Sequence, residues 1–191
     1  NTLFIITTET IFLAFFGYIF LKEKINFITF ISILLGMSGV LLIVGSSLSI
    51  QTSEQFFGNI IAFIMPISFA VLVIIVRKYP GVDMVPAQFI AGVVAAFIGY
   101  LIAGKLLVSP HDLFLGFLAG TFQIGFGFIL ITIGSQTTPA AVVGVVMLTE
   151  AVLGPIWAWL FINEIPPMTV IIGGGIIIFA ILFEFLLSKK K

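Results

Sequence analysis

Seven apolar runs, at about 2–21, 25–45, 56–76, 84–104, 113–134, 139–162 and 168–187, are separated by short polar connections. Each run is close to the roughly 20 residues that a helix needs to cross a bilayer. The runs are continuous and do not alternate, so they predict helices and not the strands of a barrel. The connections are LKEK at 21–24, GSSLSIQTSE at 45–54, RKYPGVD at 77–83, KLLVSPHD at 105–112, GSQTT at 134–138 and NEIPP at 163–167, followed by a final SKKK. None is long enough to fold as a domain. The pattern predicts an all-α, polytopic transmembrane helical bundle.

Composition agrees. Of 191 residues, 61% are hydrophobic and 8% are charged, too few polar groups to cover a soluble domain. There is no cysteine, which excludes disulfides, thiolate zinc sites and a thiol nucleophile. The net charge is zero, so no nucleic-acid partner is expected, and the lipid bilayer is the expected surround. Charge position is more informative than charge sum. With alternating spans, Lys22, Lys24, Arg77, Lys78, Lys189, Lys190 and Lys191 fall on one side, and Lys105 alone falls on the other. Basic loops favour the cytoplasm, so the expectation is a plasma (inner) membrane protein with a cytoplasmic C-terminus.

A shift of 141 residues lays the first two spans on the last two. Thr8-Glu9 then meets Thr149-Glu150, Phe20 meets Phe161, and Glu23 meets Glu164; Phe16 and Tyr18 meet Trp157 and Trp159. In each copy 14 residues separate the two acids (23 − 9 and 164 − 150). That is roughly 21 Å of helix, which sets the inner acid well inside a core about 30 Å thick. The copies lie five spans apart, an odd number, so they run in opposite directions. Inverted repeats are a mark of secondary transporters, with substrate bound near the midplane. A five-span period implies ten spans, so three more are expected ahead of Asn1, and the chain reads as a C-terminal portion.

The pattern TPAA-x(9)-E-x(4)-P-x-W-x-W-L-x(3)-E-x-P, followed by the IIGGGIII of 171–178, resembles the drug/metabolite transporter superfamily, and within it the EamA-type ten-helix permeases. The resemblance implies that each half ends with a Glu-bearing helix, a Gly-Glu-type turn and a helix rich in small residues. Glu150, Glu164 and Gly173, Gly174 and Gly175 match in one half; Glu9, Glu23, Gly36 and Gly39 match in the other. On this reading residues 1–45 are the last two helices of one repeat and 56–187 are the complete second repeat. Two features depart from the family. Its frequent Glu-Pro is Glu9-Thr10 and Glu150-Ala151 here, and its turn glycine is replaced by Lys22 and Asn163. Proteins similar to this one export amino acids and other small metabolites by alternating access, often coupled to protons. No cofactor or metal is implied, and a homodimer is an open expectation.

Glu150 is the first candidate for substrate or proton binding, because an intramembrane acid costs roughly 2.5–3.5 kcal/mol or more and marks function by default. Its alternative is a structural hydrogen bond to a neighbouring helix. Glu9 is its repeat mate. Gln123, between glycines in AGTFQIGFGF, Trp157 and Asn59 are further candidates for the cavity, set against plain interhelical hydrogen bonding and, for the tryptophan, packing. Glu23 and Glu164 are expected to fix the turns by capping or by pairing with lysine. Pro66 and Pro155 are expected kinks or gates, since each removes a backbone donor. Glu184 is expected to snorkel toward Lys189.

Other function classes find less support. A retinal protein needs a lysine in mid-membrane, and the last span has none. An intramembrane protease needs a serine or paired acids with a base, yet His111 is the one histidine and lies at an interface. A non-transporting membrane scaffold or sensor remains the alternative to a carrier.

Overall fold

The computed structural model describes residues 2–45, 53–103 and 108–188, with backbone only at residues 2, 3 and 53–56. Lys105, Lys189, Lys190 and Lys191, which bear on the orientation, lie outside them. Every regular element described is helical: α1 (Thr2–Thr7), α2 (Glu9–Leu21), α3 (Phe27–Gly45), α4 (Ser53–Ala62), α5 (Ile64–Lys78), α6 (Val85–Ala103), α7 (Pro110–Leu118), a π segment (Ala119–Gly125), α8 (Phe126–Ser135), α9 (Ala140–Met147), α10 (Thr149–Ile162) and α11 (Met168–Ser188). Several are halves of one span. Among the described residues, seven helical stretches are long and apolar enough to cross a membrane: Phe4–Leu21, Phe27–Gly45, Phe57–Lys78, Val85–Ala103, Pro110–Ser135, Ala140–Ile162 and Met168–Ser188. They match the seven expected runs.

The chain divides into two units, 1–75 with 138–191, and 76–137. The first holds a well-packed interior. Val40, Ile43, Val44, Leu148, Ala151, Val152 and Ile177 form one buried cluster, with Phe4, Met37, Val170 and Ile181 against it. Its spine is α3 against α11. These helices are antiparallel, since Thr29 meets Glu184 while Gly39 meets Gly173. Glycine at the crossing is what lets the backbones approach. A methyl group on Gly39 would sit 2.6 Å from the Gly173 carbonyl oxygen, and one on Gly173 would sit 2.6 Å from that of Gly39. In membranes such small-residue contacts replace the hydrophobic drive that lipid removes.

The second unit is looser, and α6 has no buried residue. Gln88 Nε2 donates to Thr132 Oγ1 at 3.3 Å, and the Arg77 guanidinium donates to the Gln136 carbonyl at 2.7 Å. Helix α7 starts on a reciprocal cap: Asp112 N donates to Ser109 Oγ at 3.1 Å, and that hydroxyl donates to Asp112 Oδ2 at 2.7 Å. Pro110 occupies the first turn, where its missing N–H costs nothing.

Candidate functional site

Two spans are broken just ahead of their acids. The first is interrupted at Thr8, between α1 and α2, and the sixth at Leu148, between α9 and α10. Neither break has a proline or glycine. The local cause is threonine. Thr8 Oγ1 donates back to the Ile5 carbonyl, and Thr149 Oγ1 donates back to the Val146 carbonyl. Hydroxyls that bond the preceding turn compete with the helical ladder and bend it. The backbone tightens in step, with Thr8 N to Ile5 O at 3.2 Å and Ala151 N to Leu148 O at 3.1 Å. The donors and acceptors 8→5 and 149→146 are related by the same 141-residue shift seen in the sequence.

The breaks set Glu9 as the first residue of α2 and Glu150 as the second of α10. A carboxylate there faces the positive end of a half-helix. Glu9 is 5% exposed, whereas Glu150 is exposed. The two acids lie within electrostatic range of each other, so one region of the first unit holds both. Next to Glu9, Thr10 is fully buried, and its hydroxyl donates to the Gly144 carbonyl at 3.0 Å. That bond ties α2 to α9 and gives a use to the threonine that follows the acid.

The turns after α2 and α10 repeat as closely. Lys22 has φ 56° and Asn163 has φ 57°, both left-handed. Glu23 N donates to the Gly17 carbonyl at 3.2 Å, and Glu164 N donates to the Ala158 carbonyl at 3.4 Å, so each turn folds its first outside N–H back onto the last turn of its own helix and satisfies a carbonyl there. The side chains then part company. Glu23 Oε2 accepts from Ala140 N at 2.9 Å, capping α9. Glu164 is exposed.

The other candidates are dispersed. Trp157 and Trp159 are each 52% exposed, and Trp157 stacks on Phe161 at 5.6 Å between centroids. Asn59 is half-buried in α4, and Gln123 is exposed in the π segment of the second unit. Pro66 is buried three residues after the α4–α5 break at Phe63. Pro155 lies inside a continuous α10, so the interruption in that span is at Leu148 and not at the proline.

Glu184 corrects its expectation. It does not snorkel to an interface; it is 1% exposed, and Thr29 Oγ1 donates to its Oε1 at 2.8 Å. The antiparallel α3–α11 pairing turns it inward. Helices that are apolar on every side carry no mark of which face is inner, so this was hidden in the sequence. The available signal was the repeat itself, because position 184 corresponds to Ile43 and breaks an otherwise apolar pairing.

The model of the EamA-like transporter family matches residues 53–186. The chain belongs to the EamA-like transporter family. It is therefore a multi-pass membrane protein of a transporter family. A protein named "Uncharacterized transporter" from Clostridium kluyveri is 26% identical over 193 residues, covering 96% of this chain and 62% of the relative. The chain thus spans somewhat under two thirds of that relative's length. No solved structure matches it.

Proposed function

We propose that the chain is the greater part of a secondary-active exporter of small metabolites, amino acids or related compounds, working by alternating access in the plasma membrane with its C-terminus in the cytoplasm. Residues 1–45 supply the end of one repeat and 56–187 supply the other. The observation that carries the reading is the pair of broken spans, each presenting an acid at the start of a half-helix. Discontinuous helices at related positions of inverted repeats are where such carriers bind substrate and coupling ion. Glu9 and Glu150 bind the substrate's amino group or the coupling proton. Trp157 and Asn59, both in the first unit, contribute to the substrate path, and Gln123 is a separate candidate in the second unit. Glu23 and Glu164 act at the two ends as repeat-related gates, one engaged with α9 and one not, as expected of a carrier closed on one side.

Efflux from proteoliposomes loaded with a mixture of radiolabelled amino acids tests this, with a pH gradient imposed. Glu150→Gln and Glu9→Gln should each lower gradient-driven efflux by about tenfold or more, the scale of ordinary coupling energies. Wild-type flux that both variants retain, at equal protein abundance, would remove the acids from the mechanism.

A further inference from the structure

One face of α10 carries a row of four residues. Glu150, Gly154, Trp157 and Phe161 stand at i, i+4, i+7 and i+11, a spacing that aligns them along the helix. All four are exposed, whereas Ala151 and Val152 of the same helix are buried. Trp157 stacks on Phe161 at 5.6 Å between centroids. The 141-residue shift lays this row on Glu9, Leu13, Phe16 and Phe20 of α2, where Phe16 and Phe20 again pair, at 5.8 Å. The rows differ in kind at one place. Leu13 is wholly buried, but nothing lies within 4 Å of a methyl group built on Gly154. Between its acid and its indole, α10 therefore keeps open a gap that a leucine occupies in α2.

Charge indicates what the gap takes. Glu9 lies within electrostatic range of Glu150, and no basic residue lies in the interior of a span. Arg77, Lys78 and His111 are the ones that fall within a described helix, each in a first or last turn; the other basic residues belong to the connections and the tail. An ammonium group at Glu150 would make a charge-assisted hydrogen bond. From Glu150 to Trp157 the helix rises roughly 10 Å, the reach of an ammonium joined by a short chain to one aromatic ring. That ring would lie over Gly154 and meet the indole of Trp157. A carboxylate on the same small molecule would be held against two acids with no cation to balance it, and such like-charge juxtaposition is strongly disfavoured. An amino acid brings that carboxylate with it; the corresponding amine does not.

We propose that Glu150, Gly154 and Trp157 form a binding site for arylalkylamines, in preference to the amino acids from which these differ by one carboxylate. The site deepens the transport reading, and rests on it for the claim that the bound amine is carried.

Trp159→Phe leaves Trp157 as the one tryptophan of the chain, and its fluorescence reports binding to the purified full chain in lipid nanodiscs. 2-Phenylethylamine should give a saturable change, with phenylalanine binding at least about tenfold more weakly. Glu150→Gln should weaken the amine by about tenfold or more. Gly154→Leu, which installs the residue found at the repeat-related position, should abolish the response while leaving the melting midpoint unchanged. Phenylalanine binding as tightly as the amine overturns the proposal. So does the absence of a saturable response to the amine, or a response that both variants retain, which marks partition into lipid. In proteoliposomes the probe is trimethyl(2-phenylethyl)ammonium, whose fixed charge keeps it from crossing lipid unaided. If neither it nor any amino acid moves under a gradient, the transport reading fails, and the fluorescence still decides the site. If amino acids move and phenylalanine binds as well as the amine, the transport reading stands and the amine preference falls.

Discussion

Single residues carry much of the repeat. Lys22 and Asn163 stand where the family resemblance calls for glycine, and both have the left-handed backbone that glycine adopts freely. An L side chain there costs roughly 1–2 kcal/mol, less for asparagine, whose short amide tolerates the region. Lys22→Gly should therefore stabilise the fold by about 1 kcal/mol, and Asn163→Gly by less. Melting curves in detergent would show a higher midpoint for the first; equal or lower midpoints would mean that the lysine has gains elsewhere. The sequence made this turn legible because a motif position was filled by the wrong residue. Glu184 was not legible in the same way. Its neighbours Phe183 and Phe185 are as apolar as residues that face lipid, so only the pairing of α3 with α11 reveals its burial.

Helices here depend on close approach more than on side-chain volume. A methyl group built on Gly39 or on Gly173 would run into the other's carbonyl across the α3–α11 crossing, while nothing lies within 4 Å of one built on Gly175. The three glycines at 173–175 read alike in the sequence, yet they do different things. Gly39→Ala and Gly173→Ala should each cost about 1–3 kcal/mol, because a rigid backbone carbonyl cannot move aside. Gly175→Ala should be neutral or slightly stabilising, since glycine in a helix interior costs roughly 0.5–1 kcal/mol relative to alanine. Thermal midpoints of the three variants check this, and equal losses would show that the crossing is looser than described. The seven helices themselves were plain from length and hydropathy. Their internal breaks were not, because Thr8 and Thr149 interrupt the ladder by back-bonding, a role threonine plays in only some helices. Pro155, whose missing N–H makes it the natural place to expect a break, is accommodated by α10 without one.

At the scale of the molecule, the proposed inverted repeat makes a claim about sidedness. Glu23 and Glu164 end matching helices through matching caps, and the spans between them number five, so the two turns must emerge on opposite faces of the membrane. In the orientation proposed from the excess of lysine and arginine, Lys22 lies on the cytoplasmic side and Asn163 on the outer side. The chain contains no cysteine, which makes single-cysteine labelling unambiguous. Lys22→Cys should resist a membrane-impermeant maleimide applied to intact cells and react only after permeabilisation, whereas Asn163→Cys should react at once. The reverse pattern would keep the repeat and invert the orientation. Labelling of both from one side would mean an even number of crossings between the two turns, and with it the inverted relation between Glu9 and Glu150 would be lost. The mirrored hydrogen bonds at 8→5 and 149→146 would then be a likeness of local sequence alone. The mechanism would no longer have two halves to exchange, so this measurement of two turns tests the whole architecture from which the transport reading is drawn.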